Sequence, residues 1–375
     1  MPARRSFVRR HAIKLVASAL ITAGVIWTLH QGGLKLVPDG GDFSAVRWWS
    51  LAIYVPLLLG MTWFRSVRWR FLLRSIIDVP KRRLLAVSCV GFCAVLLLPF
   101  RLGELARPYM LHTRKGERKD GERTLTMTAA TSSIVAERVI DGMFLSIVLA
   151  IALVTVPTVH PLPDRVIGLD ISVSSVRAAG FAMLAVFGIA LTTIAVFYFA
   201  RAWAHRATLV VIGKISRPLA EKLAGFAEKL ADGLHVFGRG RDALGFLAET
   251  AAYWGFNALG MWVLAIGCGV VHADGSAITF PESCALMGML GCTIMIPGPP
   301  GLLGVFQVGI YAGMTMYFPT DIVTGPGAAY VFLLYIVQVA LHLATGAWGL
   351  WHEGGTRKLR AAIADEEPAP LPAEA

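Results

Sequence analysis

The arginines and lysines of this chain are gathered into short clusters, and long apolar runs separate those clusters. Several of the runs approach the ~20 residues that a helix needs to cross the hydrocarbon of a bilayer. Basic loops stay on the cytoplasmic side, so the clusters fix the direction in which each run crosses. Composition agrees: 56% of residues are hydrophobic and only 16% are charged, against about a quarter charged in a soluble domain. The pattern predicts an all-α polytopic membrane protein.

A net charge of +11 raises the question of nucleic acid, but the basic residues flank apolar spans and no aromatic–basic recognition motif accompanies them. No nucleic-acid partner is expected. The five cysteines, Cys89, Cys93, Cys268, Cys284 and Cys292, all sit inside apolar runs without a CxxC pair. They read as small buried side chains rather than metal ligands or disulfides.

Taken in order, Arg4, Arg5, Arg9 and Arg10 precede an apolar helix over 12–29 that lacks a cleavage site, which predicts a retained first span with a cytoplasmic N-terminus. A second span over 49–64 ends at Arg65, Arg68, Arg70 and Arg74, read as a cytoplasmic loop. The run 84–100 cannot then cross fully, because Arg114, Lys115, Arg118, Lys119 and Arg123 would emerge on the wrong side. A re-entrant hairpin resolves the conflict: 84–98 enters, the chain turns between Pro99 and Gly103, and 105–111 returns. Irregular backbone at that depth requires surrounding protein or a water-filled cavity.

Spans over 125–157 and 178–200 follow, then a basic segment 201–243. There Leu219, Leu223, Phe226, Leu230 and Leu234 oppose Glu221, Glu228 and Asp232, as in an amphipathic helix on the cytoplasmic interface, with a partner-binding helix as the rival reading. Residues 245–271 cross outward, and the last span, 328–351, returns Arg357, Lys358 and Arg360 to the cytoplasm. Residues 284–316 must therefore begin and end outside, as a second hairpin broken by Pro297-Gly298-Pro299-Pro300-Gly301. The expectation is a transmembrane domain over 1–351, with six full spans and two oppositely oriented re-entrant hairpins, and a disordered cytoplasmic tail over 352–375. Pro99-x3-Gly103 and Pro297-x3-Gly301 in oppositely directed hairpins suggest an inverted repeat with a midplane site. Two unrelated proline kinks are the competing reading.

Six ionisable residues fall within membrane depth: Arg101, Glu104, Arg107, Glu137, Arg138 and Asp141. Unpaired, they would cost on the order of 15–20 kcal/mol. Arg101, Glu104 and Arg107 share one helical face, Arg138 and Asp141 lie three apart, and Glu137 with Asp141 needs a cation from elsewhere. The functional reading sets Arg101 or Arg107 against a lipid phosphate, for which the guanidinium fork is suited. The structural reading is an ion-pair network that locks the first hairpin to the long helix. In the second hairpin, Gly298, Gly301 and Gly304 would leave N–H groups open before a helix starting near Leu302, an arrangement that attracts anions. Gln307, Gln338 and His342 are further polar candidates. No nucleotide-binding loop, HExxH or GxSxG motif occurs, so no catalytic residue, metal or cofactor is expected, and transport would be passive or ion-coupled.

Three stretches carry a family resemblance: Leu98-Pro99-Phe100-Arg101-Leu102-Gly103-Glu104-Leu105-Ala106-Arg107, Glu137-Arg138-Val139-Ile140-Asp141 and Pro297-Gly298-Pro299-Pro300-Gly301-Leu302-Leu303-Gly304-Val305. Together, over roughly 12–350, they resemble the lysylphosphatidylglycerol synthase transmembrane, or flippase-like, family. The resemblance implies a bacterial inner-membrane protein that moves a phospholipid or modified lipid between leaflets, here without the soluble aminoacyl-transferase domain of bifunctional members. The family often has glutamate where this chain has Gln307. An alternative is a membrane enzyme or accessory subunit of an aminoacyl-phospholipid, hopanoid or glycolipid pathway, with Glu137 or Asp141 as acid–base groups. Membrane phospholipid is the expected partner, a separately encoded lipid-modifying enzyme a second one, and homo-oligomerisation is left open.

Overall fold

A chain this apolar must satisfy its backbone polar groups internally, which in lipid means helix. The computed structural model describes residues 35–74, 76–98, 103–112, 125–159, 172–214, 216–233, 240–294 and 300–354, with Ala23 and Trp27. The expected first span over 12–29, apart from Ala23 and Trp27, the residues Pro99, Arg101, Pro297 and Gly298, and the tail beyond 354 lie outside the described residues.

The described helices are α1 (Trp49–Val67), its short continuation α2 (Trp69–Leu73), α3 (Lys81–Leu97), α4 (Ala106–Leu111), α5 (Met127–Thr155), α6 (Val173–Phe199), α7 (Arg201–Val211) and α8 (Arg217–Gly233). They continue with α9 (Gly240–Gly267), α10 (Phe280–Ile294), α11 (Val305–Thr315), α12 (Thr320–Thr324) and α13 (Pro326–His352). Among the described residues, Trp49–Leu73, Met127–Thr155, Ala178–Phe199 and Thr320–His352 are long and apolar enough to cross a membrane. The protein is an all-α polytopic membrane protein.

One expectation is corrected at once. Arg65 to Arg74 do not form a loop: helix runs through α1 and α2 almost without interruption. No glycine or proline falls between these arginines, and Trp69, Leu72 and Leu73 among them are fully buried, so the segment belongs to the bundle.

Pairings at the two ends give the bundle its direction. At the basic end, Arg74 meets Asp242 at 2.8 Å, and Arg83 meets Glu353 at 3.5 Å. At the opposite end, Arg47 N–H donates to Gly267 at 2.7 Å, and Val159 N–H to Met316 at 3.0 Å. Thus α1 and α9 run antiparallel, as do α3 and α13.

The first hairpin is made by α3 and α4. A Cβ at Gly103 would overlap the Ala94–Val95 backbone, and one at Gly91 would overlap the Arg107 side chain, so the chain folds straight back along α3. Leu84 and Leu111 meet again in the core of the basic end, with Trp69 and Leu125. The second hairpin, α10 with α11, is built alike: Gly309 packs on Leu290 and Thr293, and Gly313 on Leu286. It opens on the opposite end, where Phe280 rests against Trp262. Each hairpin returns to the end it came from, and the two enter from opposite ends. Their tips meet: Leu96 of the first and Gly301 of the second line one cavity, and a Cβ added at Gly301 would come into van der Waals contact with Leu96.

Within 201–243, α7 and α8 are joined by His205–Glu228 at 2.9 Å, and α9 begins at Gly240. Ala204, Ala220 and Ala224 are buried, and Ala204 and Ala224 belong to one core with Ala130 and Ile134 of α5. Small residues let these helices approach closely.

Candidate functional site

Helix α5 carries the acidic centre. Glu137 and Asp141 lie one turn apart on its inner face, and both are shut off from solvent. The cation that pairs with them is Arg68. Its Nη1 donates to Asp141 Oδ1 at 2.6 Å, and its Nη2 to Asp141 Oδ2 at 2.7 Å and to Glu137 Oε1 at 3.1 Å. Thr250 of α9 accepts a further bond at 3.0 Å. This is the bidentate fork geometry that makes arginine–carboxylate pairs strong.

Two more arginines complete the cluster. Arg107 Nη1 reaches both oxygens of Glu137 at 3.2 Å, and its guanidinium lies 4.3 Å over the Trp69 ring. Arg138 bonds Glu137 at 3.0 Å and Asp141 at 3.2 Å, and approaches Glu104 at 3.9 Å. Trp69 itself is fixed by Nε1–H donation to Ser133 at 2.9 Å. The first hairpin, through Arg107 and Glu104, is thereby tied to α5, and α5 to α2 and α9 through Arg68. Arg107 is 2% exposed; its Nη1 is engaged by Glu137, while its buried Nε and Nη2 have no partner among the described residues.

Beside this network lies a cavity of about 150 Å³, well above the ~10–15 Å³ that one water needs. Both hairpin tips reach it: Leu96 from the first, Gly301 and Leu302 from the second. Its charged lining is Arg65, Arg138 and Asp141. Arg65 makes no ion pair among the described residues. It lies 4.1 Å over the Phe92 ring, and its buried Nε has no partner. Its neutral lining includes Trp254 and Asn257 of α9 and Tyr335, Gln338 and His342 of α13. Gln338 donates to the Tyr54 hydroxyl at 3.1 Å, and His342 Nδ1 to the Gln338 carbonyl at 2.6 Å.

The second tip is held from α13, where the Tyr335 hydroxyl donates to the Gly301 carbonyl at 3.0 Å. Gly301 (φ 73°), Leu302 (φ 57°) and Gly304 (φ 84°) are all left-handed, which delays the helix from Leu302 to Val305. Gln307 closes that start by accepting the Gly304 N–H at 2.6 Å. So Gly301 lines the cavity, whereas Gly304 and Gln307 are joined to each other. No group of three or more His, Cys, Asp and Glu that could hold a metal occurs among the described residues.

Of the six charges singled out in the sequence, the structure brings Glu104, Arg107, Glu137, Arg138 and Asp141 together. The essential partner, Arg68, and the cavity arginine, Arg65, were hidden in a cluster assigned to a loop. Their spacing was the available signal: Arg65 and Arg68 are three apart on a continuous helix, between residues as apolar as Phe64 and Trp69.

Fold and site together define a polytopic helical membrane protein with a buried ion network and a cavity beside it. The family model of the lysylphosphatidylglycerol synthase TM region matches residues 14–346 of the 375, and the chain belongs to that family. Its role is accordingly related to membrane lipids. No curated protein and no solved structure matches the chain.

Proposed function

We propose that this protein is a lipid translocase of the bacterial inner membrane, with both termini cytoplasmic, and that it moves a phospholipid or modified lipid through the cavity between the hairpin tips. The observation that carries the reading is the meeting of two oppositely directed hairpins at one cavity whose Arg65 has no ion pair among the described residues. Discontinuous helices of opposite direction are how transporters build a site between two gates. Exposed Trp48 and Trp49 at one end and Trp203 and Trp351 at the other are aromatic belts of the kind that mark the two interfaces. On that placement the hairpins are re-entrant and the cavity sits between the leaflets.

Arg65 is the phosphate-binding group on this reading, because it lines the cavity without an ion pair among the described residues, whereas Arg107 is paired with Glu137 and lies outside the lining. An enzyme using Glu137 or Asp141 for acid–base work is less well supported, since each carboxylate accepts bonds from two or more arginines. Lipid from a separately encoded modifying enzyme would be a suitable cargo.

The test is reconstitution in vesicles with a fluorescent phospholipid, followed by quenching of the outer leaflet. Wild-type protein should expose inner-leaflet lipid faster than empty vesicles do, and Arg65→Gln should abolish the excess while eluting as a monodisperse species. Wild-type rates equal to those of empty vesicles would overturn the proposal, as would chemical conversion of the lipid without movement.

A further inference from the structure

Helix α13 lines the cavity with Tyr335, Gln338 and His342, spaced three and four apart and so on one face. Two of the three have a bond that explains them. Tyr335 holds the second hairpin tip through the Gly301 carbonyl, and Gln338 donates to the Tyr54 hydroxyl of α1. His342 has no such bond to another helix.

The geometry fixes the proton on its ring. Nδ1 lies 2.6 Å from the Gln338 carbonyl, one turn back on the same helix. A carbonyl only accepts, so Nδ1 carries the hydrogen and, in the neutral ring, Nε2 carries a lone pair. Nε2 has no hydrogen-bond partner among the described residues, whereas polar groups inside native proteins are almost all paired. A packing role is met by the edge-on contact with Phe92, at 6.1 Å between ring centroids. It does not account for the company. Arg65 lies over the same Phe92 ring at 4.1 Å, so the two basic groups stand together at one wall of the cavity.

The other titratable or charged groups around His342 supply no free counter-charge. Arg138 and Asp141 of α5, Tyr253 of α9 and Tyr335 line the cavity, while α10, α11 and the second tip add none to the lining. Tyr54 of α1 meets Gln338, and Cys89 and Cys93 of α3 pack on Gly346, one turn beyond His342. Asp141, the one carboxylate of the described lining, is held by Arg68 and Arg138.

We propose that His342 Nε2 is a proton-binding site coupled to anion binding at Arg65, so that one proton enters and leaves the cavity with each lipid phosphate. The inference rests on the translocase reading and names what is coupled to it. As the phosphate arrives, Nε2 takes a proton from water on the side to which the cavity is open. As the phosphate leaves on the other side, Nε2 returns the proton there. Without the anion, a histidinium and Arg65 face each other as like charges; with it, both share one counter-charge. Each binding event therefore strengthens the other, and by linkage to the same degree. A phosphodiester that crosses with one proton carries no net charge, so its movement does not work against the membrane potential.

The probe is a short-chain phosphatidylmethanol, a phosphodiester whose charge stays constant over the range of about pH 5–8 in which histidine titrates. Calorimetry of the full chain in detergent, run in phosphate and in Tris, reads proton uptake from the difference in heat. Wild-type protein should take up more than about half a proton per lipid at the pH of greatest uptake, and its affinity should fall roughly three- to tenfold per pH unit there. His342→Gln should bind without proton uptake and with an affinity flat in pH; if it does not fold, the wild-type measurement carries the result. In vesicles, an acidic interior should speed outward movement of fluorescent phosphatidylmethanol by the wild type and not by His342→Gln. Wild-type protein that does not bind the probe, or binds it without proton uptake, overturns the site, and so does uptake undiminished in His342→Gln. Proton uptake on binding without lipid movement leaves the site standing and overturns translocation.

Discussion

Replacement of Arg68 by methionine is the sharpest test of the buried network. The side chain makes four bonds to groups away from its own helix: two to Asp141, one to Glu137 and one to Thr250. Methionine fills similar space but leaves Asp141 with Arg138 alone and Glu137 with Arg107 and Arg138. Removing one partner of a buried pair costs about 3–5 kcal/mol, because the remaining charge stays buried. That is a large share of the 5–15 kcal/mol by which folded domains are stable. For a chain of this size, about 2 °C is lost per kcal/mol, so the thermal midpoint in mild detergent should fall by roughly 6–10 °C. A second variant separates charge from packing. Arg68→Met combined with Asp141→Leu removes both charges, and it should recover much of the loss. A midpoint within about 1 °C of wild type for Arg68→Met would refute the idea that this ion pair holds α2, α5 and α9 together. A double variant no better than the single one would refute the electrostatic account of the loss.

Other perturbations separate the remaining parts. Gly103→Ala sets a Cβ into the Ala94–Val95 backbone, an overpacking that should cost about 3 kcal/mol or more and show as lost monodisperse protein on size exclusion. Tyr335→Phe removes the bond that holds Gly301; the midpoint should fall by the equivalent of about 1 kcal/mol, and vesicle translocation should change with it. Arg74→Ala breaks a pair whose arginine is more than half exposed, so stability should change by no more than about 1 kcal/mol, measured by the same thermal scan.

Much of the architecture was legible because membrane helices obey a bookkeeping of charge. The cluster from Arg114 to Arg123 forced 84–111 to turn back, and the structure places Leu84 and Leu111 in one core. The same rule misled at Arg65–Arg74. It counts the charges beside a span but does not say which of them turn inward. Helical spacing sorts them: Arg70 and Arg74, four apart, face Glu249 and Asp242, which are seven apart on α9. Arg68 reaches Glu137 and Asp141 of α5, and Arg65 turns toward Phe92 of α3 and Tyr253 of α9. Gln307 has a second use for a related reason. Gly304-x-x-Gln307 has the spacing of a helix cap, and its Oε1 accepts the Gly304 N–H, a role the sequence reading did not assign. Asn257 and Trp254 gave no signal, because a single amide or indole in an apolar run is identified only by the cavity it faces.

The cavity's charge follows from counting partners. Glu137 is shared by Arg68, Arg107 and Arg138, Asp141 by Arg68 and Arg138, and Glu104 is approached by Arg138. Of the arginines that converge here, Arg65 has a ring as its partner rather than a carboxylate. The Arg65 guanidinium carbon lies 4.1 Å over the Phe92 ring, and its Nε has no partner among the described residues, so an oxyanion could pair with the fork. Holding a side chain in its binding geometry lowers the ordering cost of binding. Arg65→Lys tests whether geometry or charge matters. Lysine keeps the charge but loses the fork and the stacked plane, so affinity for a short-chain anionic lipid should fall about tenfold, the effect of losing one charge-assisted bond. Phe92→Leu keeps the arginine and should weaken binding about fivefold through loss of the stack alone. Native mass spectrometry against the wild type reads both. If Arg65→Lys binds as tightly as arginine, positive charge is all that the cavity supplies, and the argument from the stacked fork fails.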